Sequence, residues 1–137
     1  MIENRFRGKR VDNGEWVFGN VIGVDCSYVI AQNMFEWVEN SGLQGGDWWH
    51  VIPATVGQFT GLRDKNGKEI YEGDIIKIST ADRNHRIQEV IFKDGAFCGY
   101  SDKKACKYTY LDVLIRAHGV EVIGNIYDNP ELLEVAK

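Results

Sequence analysis

Gly8–Ile22 reads GKRVDNGEWVFGNVI, and it decides the fold class. Its second half, Glu15–Ile22, is dense in aromatic and β-branched residues, the types that suit a pleated and half-buried surface. Ahead of it, Asn4–Val11 sets Phe6 among charged neighbours and reads as a second strand. Asp12-Asn13-Gly14 joins the two. Asn-Gly between β-prone runs is a strong short-range hairpin signal, because type I′ turns need positive φ at both central positions. The same grammar runs outward along the chain. Ser27–Ala31, Trp48–Pro53, Val56–Leu62, Asp74–Ser79, Gln88–Phe92, Ala96–Tyr100 and Val120–Tyr127 read as strands. Further turns are expected at Asn66-Gly67 and Asp94-Gly95, a loop over Asn40–Asp47, and a turn of helix at Glu131–Val135. Punctuation is by 15 glycines against 2 prolines, so turns with positive φ rather than proline breaks divide the elements. Tyr108–His118 places Leu111, Leu114 and Ile115 at helical spacing; it is read as helix, with a strand ending at Ile115 as the alternative. The expectation is a mainly β fold, a compact barrel-like or sandwich arrangement of short antiparallel strands with one or two short helices.

The opening stretch has a faint echo at Gly61–Ile76, GLRDKNGKEIYEGDII. Arg10 aligns with Arg63, Asn13-Gly14 with Asn66-Gly67, Phe18 with Tyr71 and Gly19 with Gly73. Short hairpins resemble each other for physical reasons, so convergent turn chemistry is preferred here to duplication.

The length of 137 residues allows one domain or two very small ones, and 44% hydrophobic with 26% charged residues excludes a disordered chain. Apolar runs such as Val21–Val24 and Val113–Ile115 fall far short of the ~20 residues that cross a bilayer. Met1–Arg10 is charged and has no apolar core, so a signal peptide and membrane attachment are not expected. Cys26, Cys98 and Cys106 cannot all pair with each other, which fits reduced thiols in a cytosol.

The net charge of −4 hides an asymmetry. Met1–Arg10 holds Arg5, Arg7, Lys9 and Arg10 against Glu3, whereas Val11–Thr60 has six acids, all four tryptophans and no lysine or arginine. An ordinary acidic patch is the plainer explanation. The sharper one is an interaction face that complements the basic arm of a neighbouring copy.

Most chemistries fail on spacing. His50, His85, His118 and the cysteines form no CxxC, HxH or HExxH pattern, so neither metal nor cofactor is expected. There is no GxSxG elbow, and the glycines of Gly42–Gly46 lack the helix and cation that phosphate binding needs. Glu69, Glu72 and Asp74 could present an acid pair, but acids rimming a solvated turn are commoner. The chain is therefore read as no enzyme. Nucleic-acid binding is the alternative: Lys103, Lys104 and Lys107 interleave with Tyr100, Tyr108 and Tyr110, and Arg5 and Arg7 add a second cluster. The acidic balance ranks it below protein contact. Trp48 and Trp49 are adjacent on an expected strand and point to opposite faces, so one of them faces away from its own sheet's core. The interaction surface is accordingly placed on Trp48, Trp49, Arg5, Arg7, Lys103 and Lys104.

Three blocks carry a resemblance. Arg5–Ile22 (RFRGKRVDNGEWVFGNVI), Val51–Ile76 (VIPATVGQFTGLRDKNGKEIYEGDII) and Val122–Leu133 (VIGNIYDNPELL) together resemble the YopX family of bacteriophage and prophage proteins. Phe59, Ala54 and Arg63 stand where that family more often has Tyr, an acid and Lys, which are mild exchanges. The resemblance implies a mostly β fold and a bacterial cytosol as the setting; the chain is read as a single YopX-like domain over residues 1–137, with 1–55 and 56–137 as the sub-units if it divides. It implies no activity and carries over no catalytic residue. The expected function is that of a phage accessory protein acting by protein binding, to a host or phage protein or to its own copies as a homo-oligomer.

Overall fold

The computed structural model describes residues 5–24, 27–32, 36–39, 41–44, 47–79, 86–101 and 108–135. Cys26, His85, Lys103, Lys104, Cys106 and Lys107 lie outside the described residues. The fold is mainly β, with antiparallel sheets and two short helices, and the chain divides into two units, Met1–Phe59 and Thr60–Lys137.

In the first unit β1 (Phe6–Lys9) and β2 (Trp16–Val24) form the expected hairpin, with registers from Lys9↔Trp16 to Phe6↔Gly19. Beyond Gly19 the strand changes partner and pairs with β3 (Ser27–Gln32), from Asn20↔Ala31 onward. Glycine is needed at the switch because a Cβ there would lie 2.3 Å from the Ala31 carbonyl oxygen. Within the expected loop Asn40–Asp47, β5 (Gly42–Gln44) instead pairs with β4 (Glu36–Val38) as a small hairpin. Gly42-Leu43-Gln44 is too short to show alternation, and its pairing partner decides its conformation. Then β6 (Asp47–Val51) pairs with β3 and curls back onto the end of β1. Val11 N–H donates to the His50 carbonyl at 3.0 Å, Ile52 N–H to the Lys9 carbonyl at 2.8 Å, and Arg10 bridges Val51. Unit one is thereby closed into a small barrel, with Val17, Ile30 and Val51 at its centre and Phe6, Val21, Trp49 and Val56 packed around them. The start of β7 (Gly57–Arg63) lies beside β1, and Thr55 in the preceding 3-10 turn accepts the Lys9 N–H at 2.9 Å.

In the second unit the end of β7 turns into β8 (Glu69–Tyr71), and five strands make a sheet. They are β9 (Asp74–Ile78), β10 (Arg86–Lys93), β11 (Ala96–Tyr100), β12 (Tyr108–Tyr110) and β13 (Val120–Asn125), in the order β12-β11-β10-β9-β13. Tyr108–His118 turns out to be neither wholly helix nor wholly strand. Tyr108–Tyr110 pairs with Cys98–Tyr100, and α1 (Leu111–Ala117) begins directly after it. Tyr-Thr-Tyr favours extended backbone, whereas Leu111 and Leu114, three apart, enter the core among Ile70, Ile76, Ile78, Val90, Val120 and Val122. A short α2 (Glu131–Val135) closes the chain at the expected residues.

All three expected turn glycines have positive φ, 73° at Gly14, 82° at Gly67 and 83° at Gly95. Only Asp94-Gly95 has positive φ at both positions and joins its strands as a two-residue turn. The two Asn-Gly turns are longer, with Asn13 and Asn66 outside the positive-φ region. Side-chain acceptors explain the difference: Asn13 Oδ1 takes the Glu15 N–H and Asp64 Oδ1 takes those of Asn66 and Lys68. The echoed segments share this hairpin chemistry and a partner switch at the aligned glycines. After Gly19 the strand stays in its sheet; after Gly73, whose N–H donates to the Val90 carbonyl, it enters the other one.

Candidate functional site

The basic arm of the sequence is engaged within its own unit. Arg7 is only 7% exposed and its guanidinium lies 4.7 Å from the centre of the Trp16 ring, with Lys9 at 5.7 Å from the same ring. Arg5 stands 5.9 Å from the Phe59 ring, and Arg10 5.7 Å from that of Trp49. Each aromatic belongs to the cation-free stretch, so the asymmetry seen in sequence is a set of cation–π contacts inside one chain. Arg10 also forks onto Asp12, at 2.9 and 2.6 Å, and these hydrogen bonds hold the Asp12 carboxyl below its ordinary range. Arg7, named from sequence as interaction surface, is therefore a buried packing residue.

Removing the cations from the surface leaves aromatics. Trp49 packs into the core of the first unit, whereas Trp48 on the other face of β6 is 40% exposed. Its ring meets that of His50, two residues on, edge to face at 5.5 Å, and Ser27 Oγ sits 3.5 Å from His50 Nδ1. Val11, Asp12, Trp48, Trp49 and His50 line a pocket of about 400 Å³ at this edge of the barrel. A second concavity, about 530 Å³ and lined by Val21, Tyr28, Pro53, Ala54 and Val56, is apolar. Tyr28 at its rim is 47% exposed and neighbouring Ile52 is exposed as well.

The second unit gathers residues that sequence spacing hid. Registers Tyr100↔Tyr108 and Cys98↔Tyr110 place three tyrosines on one sheet face. Tyr100 and Tyr108 stack at 5.0 Å, Lys93 Nζ lies 4.8 Å from the Tyr108 ring, and Tyr110 is 60% exposed. Lys103 and Lys104, the remaining residues of the expected surface, fall outside the described residues, so no convergence of Arg5, Arg7 and the lysines on one face is described. Cys98 is buried on this same face, opposite Tyr110; burial pushes its thiol upward, Asp94 adds to that and Lys93 opposes it, the reverse of what a nucleophile needs.

Of the acids Glu69, Glu72 and Asp74, two have structural partners. Asp74 is buried and accepts the Tyr71 N–H at 2.7 Å, while Glu69 faces Arg63 at 3.9 Å. The carboxyl that sequence missed is Glu89 on β10: burial raises it above the ordinary range and the charge of Glu72 raises it further. Only the cross-strand geometry reveals that proximity. Among the described residues no three His, Cys, Asp or Glu side chains are placed to hold a metal ion, and no helix is long and apolar enough to cross a membrane.

With this geometry in view, comparison with known proteins assigns the chain. The model of the YopX protein family matches residues 5–134. The chain belongs to the YopX family. The SPbeta prophage-derived uncharacterized protein YopX of Bacillus subtilis (strain 168) is 40% identical over 73 residues, covering 52% of this chain and 54% of that protein. The matched stretch thus spans about half the length of that relative. A crystal structure of protein EF1440 from Enterococcus faecalis superposes with a TM-score of 0.60 at 26% identity, over 97% of this chain and 99% of that one. The family match spans the three blocks that carried the resemblance in sequence.

Proposed function

We propose that this YopX-family protein is a phage or prophage accessory protein of the bacterial cytosol, without catalytic activity, that works by polypeptide contact, and that its first partner is a second copy of itself. The observation that carries this reading is the apolar concavity of the first unit, with Tyr28 and Ile52 exposed beside Val21, Pro53, Ala54 and Val56. Apolar area of this kind on a small domain marks an interface, and closed homo-oligomers are the commonest way to bury it. The basic arm is already engaged with its own aromatics, so the contact between copies is apolar and its strength depends little on salt. Prophage origin is supported by the Bacillus subtilis relative. Light scattering after gel filtration, comparing the unaltered protein with Tyr28→Arg and Ala54→Arg, tests the reading. Association by the former and a monomeric mass for both variants, with unchanged melting, is expected; a monomeric mass for all three overturns it.

A second reading, single-stranded nucleic acid, is favoured by the row of Tyr100, Tyr108 and Tyr110 with Lys93 beside it. Tyr108 is partly engaged by Lys93 and Tyr100 yet still exposed, and Tyr110 is the more exposed ring for stacking. With a net charge of −4 this reading ranks second.

A further inference from the structure

Along β6 the side that faces the end of β1 is only partly paired among the described residues. Val11 N–H and Ile52 N–H mark the side on which His50 and Ile52 direct their backbone groups, towards the end of β1. Backbone direction alternates along a strand, so the N–H and C=O of Trp48 point to that same side. The chain leaves this edge after Val11, where Gly14 N–H returns to the Arg10 carbonyl, and among the described residues no strand pairs with Trp48 there. Directly over this gap lies the pocket of Val11, Asp12, Trp48, Trp49 and His50. Asp12, Glu15 and Asp47 of the surrounding stretch are exposed acids, and Arg10, forked onto Asp12, is the cation that meets them in the structure. The chain's own Arg10, held between Asp12 and the Trp49 ring, shows which side chain such an acid–aromatic setting takes.

We propose that this edge accepts a short extended segment of a partner polypeptide carrying arginine or lysine, a site that rests on the reading of polypeptide contact but not on self-association. The segment exchanges backbone hydrogen bonds with Trp48. A residue directly opposite Trp48 puts its side chain on the Trp48–His50 face, where a guanidinium covers the exposed indole and the acids complete the attraction. Alternate positions of the segment then carry the cations.

The probes are a capped heptapeptide alternating valine with arginine, its counterpart with glutamate for arginine, and the arginine peptide N-methylated on one edge. Nuclear magnetic resonance titration follows the Trp48 indole and backbone N–H signals. Expected results are shifts at Trp48 with the arginine peptide, affinity falling at least about tenfold between low and high salt, and no shifts with the glutamate or N-methylated peptides. Trp48→Ala, a solvent-facing change, removes the effect. Equal shifts with the glutamate peptide, or none at Trp48 with millimolar arginine peptide, overturn the proposal. Because the contact between copies is apolar, its persistence in high salt while peptide binding is lost separates the two readings.

Discussion

Asp64→Ala is expected to be among the most damaging single changes in the second unit. Asp64 is buried at the start of the turn between β7 and β8, and its carboxylate accepts three backbone N–H groups. Oδ1 takes those of Asn66 at 2.8 Å and Lys68 at 2.9 Å; Oδ2 takes that of Val122, 58 residues away on β13, at 2.9 Å. One side chain therefore shapes the turn and ties it to the edge of the five-stranded sheet. Water can replace the acceptor for Asn66 and Lys68, at about 0.5–1 kcal/mol each, but the buried Val122 donor costs about 1–3 kcal/mol when orphaned. The total, about 2–5 kcal/mol, moves a urea midpoint by about 1–2 M. Asp64→Asn keeps the Oδ1 acceptor and presents an N–H₂ to the Val122 N–H, so it retains the turn and loses the tie to β13. The pH dependence separates charge from shape. Burial works to raise the Asp64 carboxyl, yet the bonds from Val122, Lys68 and Asn66 hold it below the ordinary carboxylate range. A lowered folded pKa stabilises above the unfolded value and is lost as pH falls through the folded one, so the gap between the native protein and Asp64→Asn narrows in acid. Urea titration of the three proteins at neutral and acid pH is the assay. Coincident midpoints at neutral pH would refute the reasoning.

Other changes follow from the same geometry. Gly67→Val forces a β-branched residue to φ 82° and lowers stability by about 1 kcal/mol or more, read by thermal melting; an unchanged melt contradicts the turn assignment. Gly19→Ala drives a Cβ against the Ala31 backbone and costs about 3 kcal/mol or more, visible as loss of cooperative unfolding of the first unit. Glu89 has a raised folded pKa, so its share of stability is present in acid and lost as pH rises; Glu89→Gln raises the melting temperature at neutral pH, and a gain that persists in acid tells against the cause given. Fluorescence anisotropy with labelled oligothymidine should show no binding at physiological salt, and a submicromolar, salt-sensitive complex weakened by Tyr110→Ala or by Lys103, Lys104 and Lys107 changed to Ala would favour the nucleic-acid reading.

Local chemistry was legible in the residues. Asn13-Gly14, Asn66-Gly67 and Asp94-Gly95 announce turns, and Glu15–Ile22, Val120–Tyr127 and Glu131–Val135 announce the elements found there. The adjacency of Trp48 and Trp49 announces that one faces inward and one outward, though not which. Pairings between distant segments were not legible. The partner switch at Gly19, the closure of β6 onto Lys9–Val11 and the meeting of Glu72 with Glu89 depend on registers that core packing selects, and no local pattern encodes them. Arg7 misled for a different reason: a charge at a strand position reads as solvent-facing, whereas the Trp16 ring nine residues on provides a face for the guanidinium to lie against.

The proposed contact of two copies through the apolar concavity of the first unit governs the mass of the protein in solution. Sedimentation equilibrium of the unaltered protein over a micromolar concentration series, in low and in high salt, tests it most directly. The expected mass rises above the 15.6 kDa of one chain with concentration, and by the same amount in both salts. A mass of one chain throughout would contradict it, and so would an assembly that dissolves in high salt.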